Sequence, residues 1–392
     1  MTSCTAKRGP QRGLRVASRA ALALALALPG LAQADYAAEL AKLKSAPAKD
    51  ATLHTLQAGV AAMAEGKTGP AAEHFDAALA SIEGMFANTE GAAKARSLWY
   101  EEGAKDYKGE PYERAMAYYY RGLLYLAEGD YENARASFRG GILQDAFAEE
   151  LQHRSDFAAL MMLEGWSSQV NREAGMARDT WAEVKRLRPQ WAELPASGNL
   201  LIVAELAGSP RKLGDGIGNH EIVYRRAKRT PERSLRVEFD GKPQAVALAE
   251  DVFFQASTRG GRPVDRLIEG KVAFQKATGN VGEALGTIAS EGSVISAAYG
   301  GGGGRALGAV AAVGAIASLI SVNVQPRADV RYWNNLPETL HIGAVQYQGL
   351  PENVSVTLFD EQGQPVPADS LRIQKWIDKR GNGLVWIKTR NN

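Results

Sequence analysis

Along residues 50–190 the apolar positions recur at helical spacing, and three stretches repeat one internal pattern. In YERAMAYYYRGLLYLAEGDYENARASF (112–138) and just beyond it, Tyr118, Gly122, Tyr125, Gly129, Ala134, Phe138 and Gly141 stand at offsets 0, 4, 7, 11, 16, 20 and 23. This spacing predicts two helices joined by a tight turn. Bulky residues flank a small one on the first helix, Gly129 supplies a left-handed turn, and Asp130 caps the second. Ala134 and Gly141 admit close approach, and Phe138 fills the gap. The pattern recurs upstream with Gly59, Ala71, Phe75 and Ala78, and downstream with Gly165, Ala177, Trp181 and Val184, before Pro189. All three copies keep twelve residues from glycine to alanine and four more to the aromatic.

That internal spacing is the one found in tetratricopeptide repeats, whose unit is about 34 residues. The glycines lie 63 and 43 residues apart, so helical material such as EGAAKARSLWYEEGAKDY (90–107) is inserted between copies. Tyr118 and Tyr125, seven apart, fall on one helical face and are expected in the core. Arg121 and Glu164 occupy interior positions that usually hold leucine; either the third copy has diverged or the two pair with each other. A tetratricopeptide groove is lined by first-helix positions turned away from the packing face. Here these are Leu56, Val60 and Met63, then Tyr119, Leu123 and Leu126, then Met162, Trp166 and Val170. They are nearly all apolar, and an open apolar strip is an aggregation hazard. It is expected to be covered, by residues 306–322 or the inserted helix near Trp99 of the same chain, or else by an amphipathic helix of a protein partner anchored at Tyr119 and Trp166.

After AGSPRKLGDGIGN (207–219) the pattern changes. HEIVYRRAK (220–228) and RSLRVEFDG (233–241) read as a half-buried strand pair, with Leu235, Val237 and Phe239 alternating against Arg236 and Glu238. The cluster Arg225, Arg226, Lys228, Arg229, Arg233 and Arg236 reads as a charged, solvated hairpin edge. Residues 248–290 look helical and glycine-interrupted. Residues 306–322 are an uncharged run of seventeen, rich in alanine and glycine, suited to a buried helix more than to a bilayer. Gly300–Gly304 lack the preceding strand and following Lys-Ser/Thr of a nucleotide loop. Four runs, 339–348, 353–360, 371–378 and 383–390, predict a small C-terminal antiparallel sheet. The expected fold class is therefore α+β: a tetratricopeptide-like α-solenoid over 35–206, a linker at 207–219, and an α+β module over 220–392. That module holds a strand pair, Gly/Ala-rich helices and the terminal sheet.

Charge and cysteine add a location. Residues 1–34 carry Lys7, Arg8, Arg12, Arg15 and Arg19 with no acidic residue, then AALALALALPGLAQA. A basic start, a short apolar run and Ala32-Gln33-Ala34 form a secretory signal peptide over 1–34, with cleavage expected after Ala34. Without it the chain has 41 basic and 44 acidic residues, which does not suit a nucleic-acid binder. The only cysteine, Cys4, lies in the leader, so the mature chain is expected to have neither disulfide nor thiol chemistry. These features predict a periplasmic protein with outer-membrane association open to it.

Candidate chemistry is sparse. His54, His74, His153, His220 and His341 are scattered, and no His-Glu-x-x-His, Gly-x-Ser-x-Gly or paired-carboxylate motif occurs. No catalytic, cofactor-binding or metal residue is assigned, and no cofactor is expected. Asp329, Arg331 and Trp333 are the best polar candidates, read as an ion pair and a Trp seating the last helix on the terminal sheet. KDYKGEPYERAMAYYYRGLLYLAEGDYENAR (105–135) and ADVRYWNNLPETLHIGAVQY (328–347) together resemble a family of uncharacterised bacterial exported proteins with tetratricopeptide-like N-terminal halves. Members of that family are often lipoproteins, encoded near outer-membrane lipoproteins of the curli-secretion or penicillin-binding-protein-activator kind. The resemblance implies an envelope role and a protein partner such as an outer-membrane lipoprotein. Asp35 stands where a lipidated cysteine would be. The function expected is a non-catalytic envelope scaffold, with a subunit of an outer-membrane-associated secretion or pore assembly as the alternative, and an envelope glycan or lipid hydrolase as the third reading.

Overall fold

The computed structural model describes residues 36–87, 106–145, 156–189, 191, 193–215, 221–228, 230–258, 328–368 and 370–389, besides Met1. The chain is mixed α and β: helices come first, and strands forming sheets follow. The helices are α1 (Tyr36–Ser45), α2 (Ala51–Ala64), α3 (Thr68–Ala87), α4 (Pro111–Glu128), α5 (Tyr131–Asp145), α6 (Ala158–Val170) and α7 (Ala174–Leu187), with a 3-10 turn at Ala48–Asp50. Helices α2/α3, α4/α5 and α6/α7 form three hairpins, and α3 packs on α4 and α5 on α6, so the hairpins follow one another in order.

Local chemistry accounts for the hairpin in the middle. Pro111 opens α4, where its missing N–H costs nothing. Glu110 and Glu113 form a reciprocal cap, with the Glu110 N–H donating to Glu113 Oε2 at 2.7 Å. Gly129 ends the helix at φ 76°, a conformation that disfavours side chains. The small first-helix residue then receives the second-helix ring. A Cβ at Gly59 would lie 2.8 Å from Phe75, one at Gly165 would lie 3.1 Å from Trp181, and one at Gly122 would overlap Phe138.

This contact yields a paired prediction. Gly122→Ala should destabilise, because overpacking against the buried Phe138 ring costs about 1–3 kcal/mol and outweighs the helical advantage of alanine. Gly84→Ala, in α3 with no described residue within 4 Å of the new methyl, should stabilise by about 0.5–1 kcal/mol. Thermal melts that move both variants the same way would contradict the packing.

The strands are β1 (Leu200–Leu206), β2 (Arg211–Asp215), β3 (Glu221–Arg225), β4 (Ser234–Phe239), β5 (Lys242–Gln244), β6 (Ala247–Asp251), β7 (Thr339–Val345), β8 (Val354–Phe359), β9 (Pro365–Val366), β10 (Arg372–Ile377) and β11 (Gly383–Lys388), with helix α8 (Val252–Ser257) after β6. A five-stranded sheet runs β10-β11-β1-β7-β6, in which β1 and β11 are parallel and the other neighbours antiparallel. One face of it, with Leu201, Val203, Leu384 and Trp386, joins the helical core. The other face, with Leu200, Ile202, Ala204, Val385 and Ile387, packs on Val237 and Phe239 of a second sheet, β5-β4-β8-β9. Every residue of β1 is buried because both of its faces are covered.

Several expectations are corrected here. Residues 200–206 belong to the central sheet and not to a helical domain ending at 206, and Arg211–Asp215 of the expected linker is a strand. Residues 220–228 do not pair with 233–241: β3 pairs with β2, and β4 with β5 and β8. The four terminal runs are strands, but β8 leaves for the second sheet while the others join β1 and β6. Ala247–Asp251 is a strand before the short α8, and residues 259–327, including 306–322, lie outside the described residues. Arg121 and Glu164 do not pair with each other. Arg121 reaches Asp76 of α3 at 2.7 Å, and Glu164 accepts from Arg139 of α5 at 2.8 Å. Each is thus a charged tie between neighbouring hairpins.

Candidate functional site: the floor of the helical groove

Eight of the nine groove residues are buried: Leu56, Val60 and Met63 on α2, Tyr119, Leu123 and Leu126 on α4, and Met162 and Trp166 on α6. Val170 is partly buried against the same core. What covers them is the five-stranded sheet and residues 333–335. Trp166 Nε1 donates to the Gly198 carbonyl at 2.9 Å, just ahead of β1. Gln374 of β10 donates to the Ala64 carbonyl at the end of α2, and Tyr131 donates to Asp378 at 2.8 Å. Asn335 donates to the Gln57 carbonyl, and Gln57 to Asn334 Oδ1. Trp333 is fully buried between Phe75 and Tyr120, with ring centroids 6.2 and 5.7 Å away. It therefore seats its own segment on the helices, whereas the sequence suggested that it seats a last helix on the sheet. The inserted helix near Trp99 falls outside the described residues.

The floor has a charged centre that the sequence reading missed. Glu205 of β1 is fully buried, and its two carboxylate oxygens each accept two hydrogen bonds. Oε1 takes Tyr119 O–H at 3.0 Å and Trp386 Nε1–H at 2.8 Å. Oε2 takes Tyr120 O–H at 2.7 Å and the Lys388 ammonium at 2.8 Å. Glu205 and Lys388 are direct cross-strand partners in the parallel β1–β11 pair. Tyr119 and Tyr120, though successive on a helix, have arms long enough to converge on one carboxylate. Burial, then the Glu205 charge, pushes both phenols well above their ordinary range, so they stay protonated donors. A buried ion pair is tolerable only when such hydrogen bonds offset several kcal/mol of lost hydration per ion. Four donors from α4 and β11 meet that demand. The arrangement clamps the sheet to α4.

A second network closes the end of α4. Lys212 of β2 pairs with Glu110 at 2.5 Å, and Glu113 Oε1 accepts the Trp333 N–H at 2.7 Å. Arg331 bridges Asp329 and Asp50, both at 2.7 Å. Burial pushes the Glu113 carboxyl up. Three arginines of the basic cluster make internal ion pairs: Arg226 with Asp251 and Glu338, Arg233 with Glu338, and Arg236 with Glu238; Arg229 lies outside the described residues. Of the histidines, His74 meets the Tyr36 hydroxyl at 3.0 Å, and His341 is buried beside Thr339, its pKa lowered by burial to about 4. His153 and His220 lie outside the described residues.

A shallow depression of 230 Å³ opens between α3, α4 and α5, lined by Asp76, Tyr118, Arg121, Tyr125 and Ser137 among others. It is smaller than the 300–1,000 Å³ of most small-molecule sites, and Arg121 in it is already held by Asp76 and stacked 3.7 Å over Tyr125. Among the described residues no group of three His, Cys, Asp or Glu is placed to hold a metal ion, and no helix is long and apolar enough to cross a membrane. The signal that could have revealed the Glu205 centre is LLIVAEL itself: a continuous apolar run, bounded by Gly198 and Gly208, that carries one carboxylate. No protein-family model, curated protein or solved structure matches the chain.

Proposed function

We propose that this chain is an exported, non-catalytic scaffold of the cell envelope, built on three tetratricopeptide-like hairpins and working through protein contacts. The observation that carries the reading is the threefold recurrence of one packing device, in which Gly59, Gly122 and Gly165 receive Phe75, Phe138 and Trp181. Polar chemistry at the floor points the same way: the Glu205 carboxylate is spent on four internal donors and leaves no oxygen for a substrate. The groove residues are covered by the chain's own sheet, so the partner surface lies on the outer faces of the hairpins, where Leu143 and Met176 are exposed. The resemblance to exported envelope proteins makes an outer-membrane lipoprotein the partner class of choice.

The test is site-specific photo-crosslinking in intact cells, with the probe placed at Leu143, Met176 or Tyr119, combined with intact-mass measurement of the envelope fraction. The expected result is a mature chain starting at Asp35 and a discrete adduct from Leu143 or Met176, with none from Tyr119. An adduct from Tyr119 alone would restore the groove as the partner site, and a cytosolic chain retaining Met1 would remove the envelope role. The uncharged run 306–322 favours a second reading, a subunit of a membrane-associated assembly. Stable co-fractionation with outer membranes, lost on deleting that run, would select it.

A further inference from the structure

Where β6 meets α8, three carboxyl groups are buried together. Asp145 at the end of α5 is fully buried, Asp156 ahead of α6 is 6 % exposed, and Glu250 of β6 is 3 % exposed. The Gln255 amide of α8 donates to Asp156 Oδ1 at 3.0 Å and to Glu250 Oε1 at 3.2 Å, tying the two. Asp145 Oδ2 accepts the backbone N–H groups of Asp156 and Phe157. Among the described residues the cation facing Glu250 is Arg188, past the end of α7, with Nη2 at 3.5 Å from Oε1. Glu250 Oε2 is buried and has no hydrogen-bond partner. An unpaired oxygen so placed suits a proton far better than a charge.

We propose that Glu250 is the proton-binding member of a latch: neutral, it holds the β6–α8 corner against α6, and ionised, it loosens that corner. Among the described residues Glu250 is met by the carboxyl groups beside it, one partly exposed Arg188 and the Gln255 amide, and its buried Oε2 is left without a hydrogen bond. Burial is the largest influence on the Glu250 carboxyl; Arg188 and Gln255 oppose it, Asp156 and Asp145 reinforce it, and the outcome is a rise from 4.5 to about 8. The sign follows. A carboxyl that keeps its proton longer in the folded corner than in the opened one stabilises the corner fully below pH 4.5, and that stability is lost as pH rises to about 8.

The experiment is hydrogen exchange of the full-length protein, read on peptides covering 247–257 between pH 6.5 and 9 and corrected for chemical exchange rate. Protection of the wild-type corner should fall about tenfold or more across that interval. In Glu250→Gln, which keeps the acceptor for Gln255 but cannot ionise, it should change by no more than about twofold, since no proton is then linked to opening. Should Glu250→Gln fail to fold, two further variants decide. Asp156→Asn should move the wild-type midpoint to lower pH, and Arg188→Gln to higher pH. A flat wild-type profile, an equal fall in wild type and Glu250→Gln, or a midpoint unmoved by both neighbours would each overturn the latch.

Discussion

The double substitution Tyr119→Ala and Trp166→Ala should leave the chain largely unfolded at ambient temperature. Each side chain is a fully buried ring, at 0 % and 1 % exposure, and truncating such a residue costs about 3–5 kcal/mol. Truncating Tyr119 also removes the hydroxyl that donates to the Glu205 carboxylate, and truncating Trp166 leaves the Gly198 carbonyl without its indole partner. The two sit on different hairpins, so their losses should add to about 6 kcal/mol or more. Whole domains are stable by only about 5–15 kcal/mol. Far-UV circular dichroism and denaturant titration measure the outcome. A folded double variant that loses only a captured partner would mean that the rings serve recognition and that the sheet lifts off them in solution.

How much of this was legible beforehand differs by element. The hairpins were readable because a glycine and an aromatic sixteen residues apart are both needed for one local contact, and Gly122 and Phe138 carry that need in the sequence itself. Strand existence was readable from alternation, as in SLRVEF, where Val237 and Phe239 turn inward. Strand partnership was not. Alternation fixes which face is buried but says nothing about which strand lies beside it, so β3 and β4, neighbours in sequence, were joined when their partners are β2 and β8. Strand β1 was absorbed into the helical half because a strand covered on both faces loses its alternation. The charged ties fared worst. Arg121 and Glu164 each pair with a residue on the preceding hairpin, a choice set by side-chain reach across an interface and invisible in spacing. The nine groove residues share this lesson, since their apolar character was legible and their cover was not.

Lys388→Met should cost about 3–5 kcal/mol, the usual loss when one partner of a buried ion pair is removed and the other charge is stranded. Glu205→Gln should cost a similar amount, because the Lys388 ammonium, itself fully buried, then lacks its counter-charge. The double variant is where the geometry speaks. In Glu205→Gln with Lys388→Met no charge remains at the floor. The new amide oxygen can still accept from Tyr119 and Trp386, as Oε1 does now, and the amide N–H can donate to the Tyr120 oxygen, whose hydroxyl is free to turn. The double variant should therefore be more stable than either single one, with a coupling of about 2 kcal/mol or more in a denaturant-based double-mutant cycle. Strictly additive losses would mean that the two charges act independently and that the clamp between β1, β11 and α4 rests on apolar packing alone. Near-wild-type stability of the double variant would mean instead that the ion pair selects the register of β11 against β1 more than it strengthens the fold, since a one-residue slip would turn Lys388 away from Glu205 and into the second sheet.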